Sequence, residues 1–284
     1  LNDKEKQMSL SKERKDELER LCLRLRQDLI RLLYGIQTGH PGGSLSATEI
    51  LVTLYFEKLR VDPKNPRDPD RDRFILGKGH AAPMLYQILS ERGFFPQDDL
   101  VTLRQLDSHL QGHPCARKTC GVELSTGPLG LGLPAGLGMA MAARLDGRAY
   151  RTYVLMGDGE LQEGIVWEAA MSAAKFGADN LLAIVDNNGV QLDGTVEEIM
   201  PMGDISAKWQ AFGWNVINID GHCVSAIADA VDLAATVKGR PTVIVAKTVK
   251  GKGVSFMEGK SAWHGKPISK DEYVNAMKEL GVTV

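Results

Sequence analysis

The residues with the strongest chemical character sit at the end of an apolar run. YRTYVL leads into 156-MGDGELQEG-164, which crowds Asp158, Glu160 and Glu163 around glycines. Carboxylates so close repel one another, and a packed core gains nothing from them. A strand ending in Gly-Asp-Gly ahead of a helix also gathers backbone N–H groups and a positive helix terminus, which suit an anion such as phosphate. Asp158 would repel that phosphate unless a cation stood between them. A hard divalent ion such as Mg²⁺ removes the conflict, because it takes carboxylate, amide, carbonyl and phosphate oxygens together. A second stretch, 186-DNNGVQLDG-194, also ends an apolar run and offers the Asn188 amide oxygen and turn carbonyls. GDG alone reads as a tight turn. Its pairing with NN at the end of another strand is what points to a site.

Five of the six histidines adjoin a glycine, in 39-GHPGG-43, 78-KGHA-81, 112-GHP-114, 221-GH-222 and 264-HG-265. Imidazoles bind phosphate, donate to carbonyl oxygens and carry protons. A neighbouring glycine lets the backbone approach a ligand closely. His109 and His222 lack a supporting motif and read as structural. The segment 247-KTVKGKG-253 puts Lys247, Lys250 and Lys252 on a basic, flexible loop, suited equally to solvent and to an anion.

These groups need elements to hold them. Apolar residues at three- and four-residue steps predict an amphipathic helix from Asp16 to Ile36, with Gly39 as its stop. A second helix is expected from Ala47 to Leu59, then a proline-rich surface loop over 61–73. RFIL (73–76) reads as a strand, GKGH as a loop, and a helix follows through Leu89. Small residues over 127–145 would let a helix approach its neighbour's backbone. Apolar runs at 150–156, 181–186, 214–219 and 241–247 alternate with helical segments at about Gly164 to Phe176 and Ser225 to Val237. That alternation predicts an α/β fold, a parallel central sheet with helices on both faces. Ligands then bind beyond the carboxyl ends of the strands. MGDGE, DNNG and KTVKGKG all fall there.

Composition excludes several classes. With 34 basic and 36 acidic side chains the net charge is −2, so no basic field invites nucleic acid. The charged first residues lack the apolar core of a signal peptide, and no apolar run approaches a membrane span. The cysteines (Cys22, Cys115, Cys120, Cys223) form no CxxC pair. They read as incidental thiols, and a reducing cytoplasm is the expected location.

Taken together, 39-GHPGGSLS-46, 78-KGHA-81, 112-GHP-114, 126-TGPLGLG-132, 157-GDGELQEG-164, 186-DNNGVQLDG-194 and 263-WHG-265 resemble transketolase, a thiamine-diphosphate enzyme, over nearly the whole chain. The resemblance implies a single diphosphate-binding domain over 1–284 with an N-terminal helical extension, the pyrimidine-binding and C-terminal domains being absent. It implies that Asp158, Asn188 and the Val190 carbonyl hold Mg²⁺ or Ca²⁺. His80, Gly159 and His264 would contact the diphosphate of thiamine diphosphate, Gly127 and Leu129 the aminopyrimidine side, and Leu192 the thiazolium. Lys250, where many full-length relatives carry isoleucine, falls beside the cofactor. His40, His113 and His264 would line the substrate channel and serve proton transfer. Glu163 takes the place of a subunit-interface carboxylate.

The implied reaction moves a two-carbon ketol unit from a ketose phosphate to an aldose phosphate. The glutamate that activates the aminopyrimidine in transketolases has no counterpart motif here. The resemblance therefore implies an N-terminal subunit that works with a C-terminal transketolase subunit, two of each chain. A branched or sulfonated sugar would serve the same machinery. A nucleotide phosphohydrolase would need GxxxxGK[ST], and 251-GKGVS-255 has the wrong spacing. A binding module that had lost catalysis would have lost Asp158, Asn188 or the loop histidines, yet all are present.

Overall fold

A computed structural model describes residues 10–283 of the chain, so the charged start over 1–9 lies outside the described residues. Five strands form one all-parallel sheet: β1 (Arg73–Leu76), β2 (Thr152–Gly157), β3 (Leu181–Asn187), β4 (Asn215–Asp220) and β5 (Thr242–Lys247). Their order is β1-β2-β3-β5-β4. Ahead of β1 come α1 (Lys12–Ile36), α2 (Pro41–Ser46) and α3 (Thr48–Thr53), and α4 (Ala82–Glu91) follows it. Next, α5 (Gly132–Leu145) leads into β2, and α6 (Gly164–Lys175) joins β2 to β3. Then α7 (Val196–Ile199) and α8 (Ile205–Ala211) precede β4, α9 (Val224–Thr236) joins β4 to β5, and α10 (Lys270–Glu279) comes last.

The strands read as continuous apolar runs because both faces are covered. Side chains alternate across the sheet with period two. Phe74, Leu76, Tyr153, Leu155, Leu182, Ile184 and Ile244 pack with α1, α3, α4 and α9. Their neighbours Ile75, Val154, Met156, Ala183, Val185 and Val243 pack with α5, α6 and α8. Each fully buried Val, Ile or Leu contributes about 1.5–3 kcal/mol over leaving it exposed.

Small residues bring α5 close to the sheet, as the sequence predicts. A Cβ built on Gly136 would lie 2.6 Å from Val154 Cγ2, and one on Gly132 would lie 3.0 Å from the Gly77 Cα.

Four expectations need correction. Helix α1 starts at Lys12, where the Ser11 hydroxyl caps it by accepting from the Arg14 N–H at 3.2 Å. It stops at Ile36, and Gln37 (φ 52°), not Gly39, takes the left-handed capping position. Helical structure begins earlier than expected: α3 and the π-helical turn Leu54–Lys58 match the helix expected over 47–59, but the short helix α2 already starts at Pro41. Proline suits the first helical position because its missing N–H would have had no partner there. That shift makes His40 the N-cap residue of α2. Finally, β4 is not covered like the others. It lies at the sheet edge beyond β5, and its residues are half-buried to exposed.

Candidate active site

The carboxyl ends of β2, β3 and β5, with the loops before α2, α4 and α5, enclose a cavity of about 390 Å³. Every residue predicted for the site lines it: His40, His80, His113, Gly127, Leu129, Asp158, Gly159, Glu163, Asn188, Val190, Leu192, Lys250 and His264. Four histidines from four separate loops converge there. The His40 ring centroid lies 5.7 Å from His80, 6.2 Å from His113 and 5.4 Å from His264, and His80 lies 4.7 Å from His264. Glycine makes this crowding possible, since a Cβ on Gly43 would sit 2.9 Å from His80 Nε2.

The histidines are held neutral. Burial, then the charge of Arg104 and those of His113 and Lys250, lowers His40 to about 4. Burial and Lys250 lower His264 to about 3. Burial first, and Lys78 next, hold His80 well below its ordinary value, and burial and Arg104 lower His113. A neutral imidazole offers one donor and one acceptor, so each ring can both give and take a hydrogen bond at neutral pH.

The acidic corner divides into distinct roles. Asp158 is buried, and its carboxylate accepts from the N–H groups of Gly159 (2.9 Å) and Gly189. Burial still pushes it up to about 6. Glu160, for which the sequence suggests no task, is buried as well. It accepts from Gly130 N–H at 2.9 Å and Gly157 N–H at 3.1 Å, tying the glycine-rich loop before α5 to the end of β2. Burial raises it to about 7. Glu163 is exposed at the N-cap of α6, on the rim of the cavity.

Several contributors are not singled out by the sequence. Lys78, beside His80, is buried and reaches Gly43 O at 2.9 Å, Ser46 Oγ and the Asp186 carboxylate. Asp186 also accepts from Ser46 Oγ at 2.6 Å and from Thr248 Oγ1. Burial opposes its ionisation, but Lys78, Ser46 and Thr248 together hold it below the usual carboxylate range. Lysine in KGHA and aspartate in DNN were visible as residues, whereas their pairing across two strand ends was not. His222, read as structural, is a strut: its Nδ1 lies 2.8 Å from Glu49 Oε2 and its Nε2 accepts from Val249 N–H at 2.9 Å. Arg26 binds the same Glu49 and also donates to Lys252 O at 3.2 Å.

This strut corrects the reading of 247–253 as a flexible loop suited equally to solvent and to an anion. Lys247 is exposed, but Lys250 is buried, 3.1 Å from Val190 O and 3.0 Å from His264 Nδ1. Burial lowers Lys250 to about 8.

Comparison with known proteins decides the family. The family described as "Transketolase, thiamine diphosphate binding domain" matches residues 24–284. The chain belongs to the transketolase family. It is 44% identical over 242 residues to the 6-deoxy-6-sulfo-D-fructose transketolase subunit SqwG of Clostridium sp. (strain MSTE9), covering 85% of this chain and 88% of that one. An apulose-4-phosphate transketolase subunit of Actinobacillus succinogenes is 43% identical over 266 residues, 93% of this chain and 96% of that one. Among solved structures, transketolase from Leishmania mexicana superposes with a TM-score of 0.88 at 31% identity. That match covers 94% of this chain and 41% of the longer one. The chain therefore carries the thiamine-diphosphate-binding domain of a transketolase, in a parallel sheet fold shared with that family.

The residues present fit both a divalent ion and a diphosphate. Among the described residues Asp158 pairs with no cation, and Lys78, the near one, is engaged by Asp186. Among the described residues the Asn188 Oδ1 accepts only from Val190 N–H at 3.1 Å, and Val190 O only from Lys250. Each sp² oxygen keeps a further lone pair for a metal. One carboxylate, one amide and one carbonyl make a hard-cation set. Among the described residues no group of three or more His, Cys, Asp or Glu is placed to hold a metal, so Cys115, Cys120 and His113 form no such centre. No helix among those residues is long and apolar enough to cross a membrane.

Proposed function

We propose that this chain is the diphosphate-binding subunit of a split transketolase, moving a two-carbon ketol unit from a ketose phosphate to an aldose phosphate. The observation that carries the reading is the convergence of His40, His80, His113 and His264 on one cavity with Asp158, Asn188 and Val190 at its floor. Asp158, Asn188 and the Val190 carbonyl hold Mg²⁺ or Ca²⁺. His80, Gly159, His264 and Lys250 would contact the diphosphate. Gly127 and Leu129 meet the aminopyrimidine, and Leu192 packs near the thiazolium. Thiamine diphosphate, when bound, supplies the electron sink that allows a carbon–carbon bond beside a ketone to break. The chain's own work is to bind, orient and manage protons. His40, His113 and His264 act as neutral donors and acceptors toward substrate oxygens.

The partner is a C-terminal transketolase subunit that brings the activating glutamate and the pyrimidine-binding domain, with two copies of each chain. Two of the relatives are named as subunits, which supports this. Glu163, exposed on the rim, faces that partner assembly. Free cysteines fit a reducing cytoplasm. A second reading concerns the sugar. Relatives at 44% and 43% identity are named for 6-deoxy-6-sulfo-D-fructose and apulose-4-phosphate, which supports a sulfonated or branched ketose as the alternative substrate, while transketolases named for no such sugar match at 40–43%.

Calorimetric titration of thiamine diphosphate with Mg²⁺ into the chain plus its partner tests the proposal. Saturable, metal-dependent binding is expected, with Asp158→Ala weakening it at least about a hundredfold through loss of the charged ligand. No binding with the partner present would sink the cofactor reading. Ketol transfer by the chain alone would sink the split-enzyme reading.

A further inference from the structure

Arg104 lies behind the histidine cluster, outside the cavity wall. It sits in a tight loop with φ 65°, a left-handed conformation held by its own N–H donating to Leu110 O at 2.9 Å. Its half-buried side chain reaches toward α2. Nη1 donates to Thr38 Oγ1 at 2.9 Å, and Nη2 lies 3.1 Å from His40 Nδ1 and 3.5 Å from Gly112 O. Glycine at 112 leaves room for this, since a Cβ there would lie 3.2 Å from Arg104 Nε.

We propose that Arg104 is a positioning residue that locks His40 in its neutral Nε2–H tautomer, so that His40 offers the cavity a hydrogen-bond donor and not a free base. A guanidinium has donors only, so His40 Nδ1 must accept, and the ring's single proton then resides on Nε2. Nε2 faces the opposite way from Arg104, beside the turn of His264 and Gly265, where a Cβ on Gly265 would come within 3.3 Å. Protonating Nδ1 would set two N–H donors, and two positive charges, against each other. The other titratable and charged groups around the ring are His80, His113, His264 and Lys250, and none supplies a negative charge. Among the described residues no carboxylate hydrogen-bonds to His40, so nothing relays a proton away from it. The consequence for catalysis rests on the transketolase reading; the tautomer does not.

The test uses the chain labelled with ¹⁵N-histidine, with no cofactor or partner added. Long-range ¹H–¹⁵N correlation at neutral pH should show His40 Nδ1 bare and Nε2 protonated. Arg104→Lys, which keeps a cationic donor, should preserve that pattern. Arg104→Met should give a mixture of tautomers and a His40 titration midpoint moved toward its ordinary value. In the assembled enzyme Arg104→Met should lower kcat at least about tenfold, as expected when a preorganised hydrogen-bond donor is misset, with thiamine diphosphate affinity unchanged. A protonated Nδ1 in the parent protein overturns the proposal, and so does an unchanged tautomer in Arg104→Met. Failure of the parent chain to bind thiamine diphosphate would instead count against the proposed function, leaving the tautomer result standing.

Discussion

His40 shows how burial and the charges of its neighbours convert a loop histidine into a fixed neutral group. Its value of about 4 against an ordinary 6.5 has a consequence for stability. Unfolded, His40 takes up a proton below 6.5, whereas the folded ring resists until about 4. The folded state therefore binds fewer protons, and stability present above pH 6.5 drains away as pH falls toward 4. Asp158 and Glu160, raised to about 6 and 7, act in the opposite sense: their contribution is present at acid pH and lost as pH rises through those values. His40→Asn isolates one contribution. Between pH 7.5 and 5.0 the variant should lose about 1 kcal/mol less stability than its parent, a figure discounted for the ring's partial exposure. Urea titrations at the two pH values measure it. Equal losses would mean that the ring titrates normally in the fold.

At the scale of elements, close packing of α5 on the sheet governs how the glycine-rich loop reaches the cavity. Gly136 and Gly138 lie on the same helix but face different surroundings. A Cβ on Gly136 meets Val154 Cγ2 at 2.6 Å, while one on Gly138 meets nothing within 4 Å. Alanine is the better helix former by about 1 kcal/mol, so Gly138→Ala should stabilise the isolated chain by up to that amount. Gly136→Ala should destabilise it by about 1–3 kcal/mol, because a branched strand residue cannot yield and α5 must lift. Thermal denaturation of the two variants gives the comparison, and equal shifts would refute the packing argument. The strut from Arg26 through Glu49 to His222 is the other organising device. It ties α1 and α3 to the turn that carries Lys250, which explains why a lysine in a glycine-rich turn is buried.

For the whole molecule, the proposed assembly predicts where a partner leaves its mark. Leu129 and Leu192, which line the cavity, are 38% and 60% exposed, and Leu131, two residues on from Leu129, is 45% exposed. Association with the C-terminal subunit should protect amides at 129–131 and 190–193 from hydrogen exchange and raise the melting temperature with partner concentration, as binding to the native state requires. Unchanged exchange there in an active complex would place the partner elsewhere. Much of this protein was legible in the sequence. Continuous apolar runs separated by helices meant a parallel sheet, because only strands covered on both faces lack alternation, and GDG and DNN fell at strand ends where such sheets bind ligands. Spacing pointed to the GDG and NN corners, and the resemblance to transketolase supplied the other candidate residues, since motif chemistry is local to a few positions. The rest depended on contacts between residues far apart in the chain. Glu160 found two N–H groups, Lys78 found Asp186, His222 found Glu49, and Arg104 found His40, none of which periodicity can register. Sequence alone specified which groups could do the chemistry. Tertiary structure decided their protonation, because charge state follows from burial and from neighbours that only folding brings together.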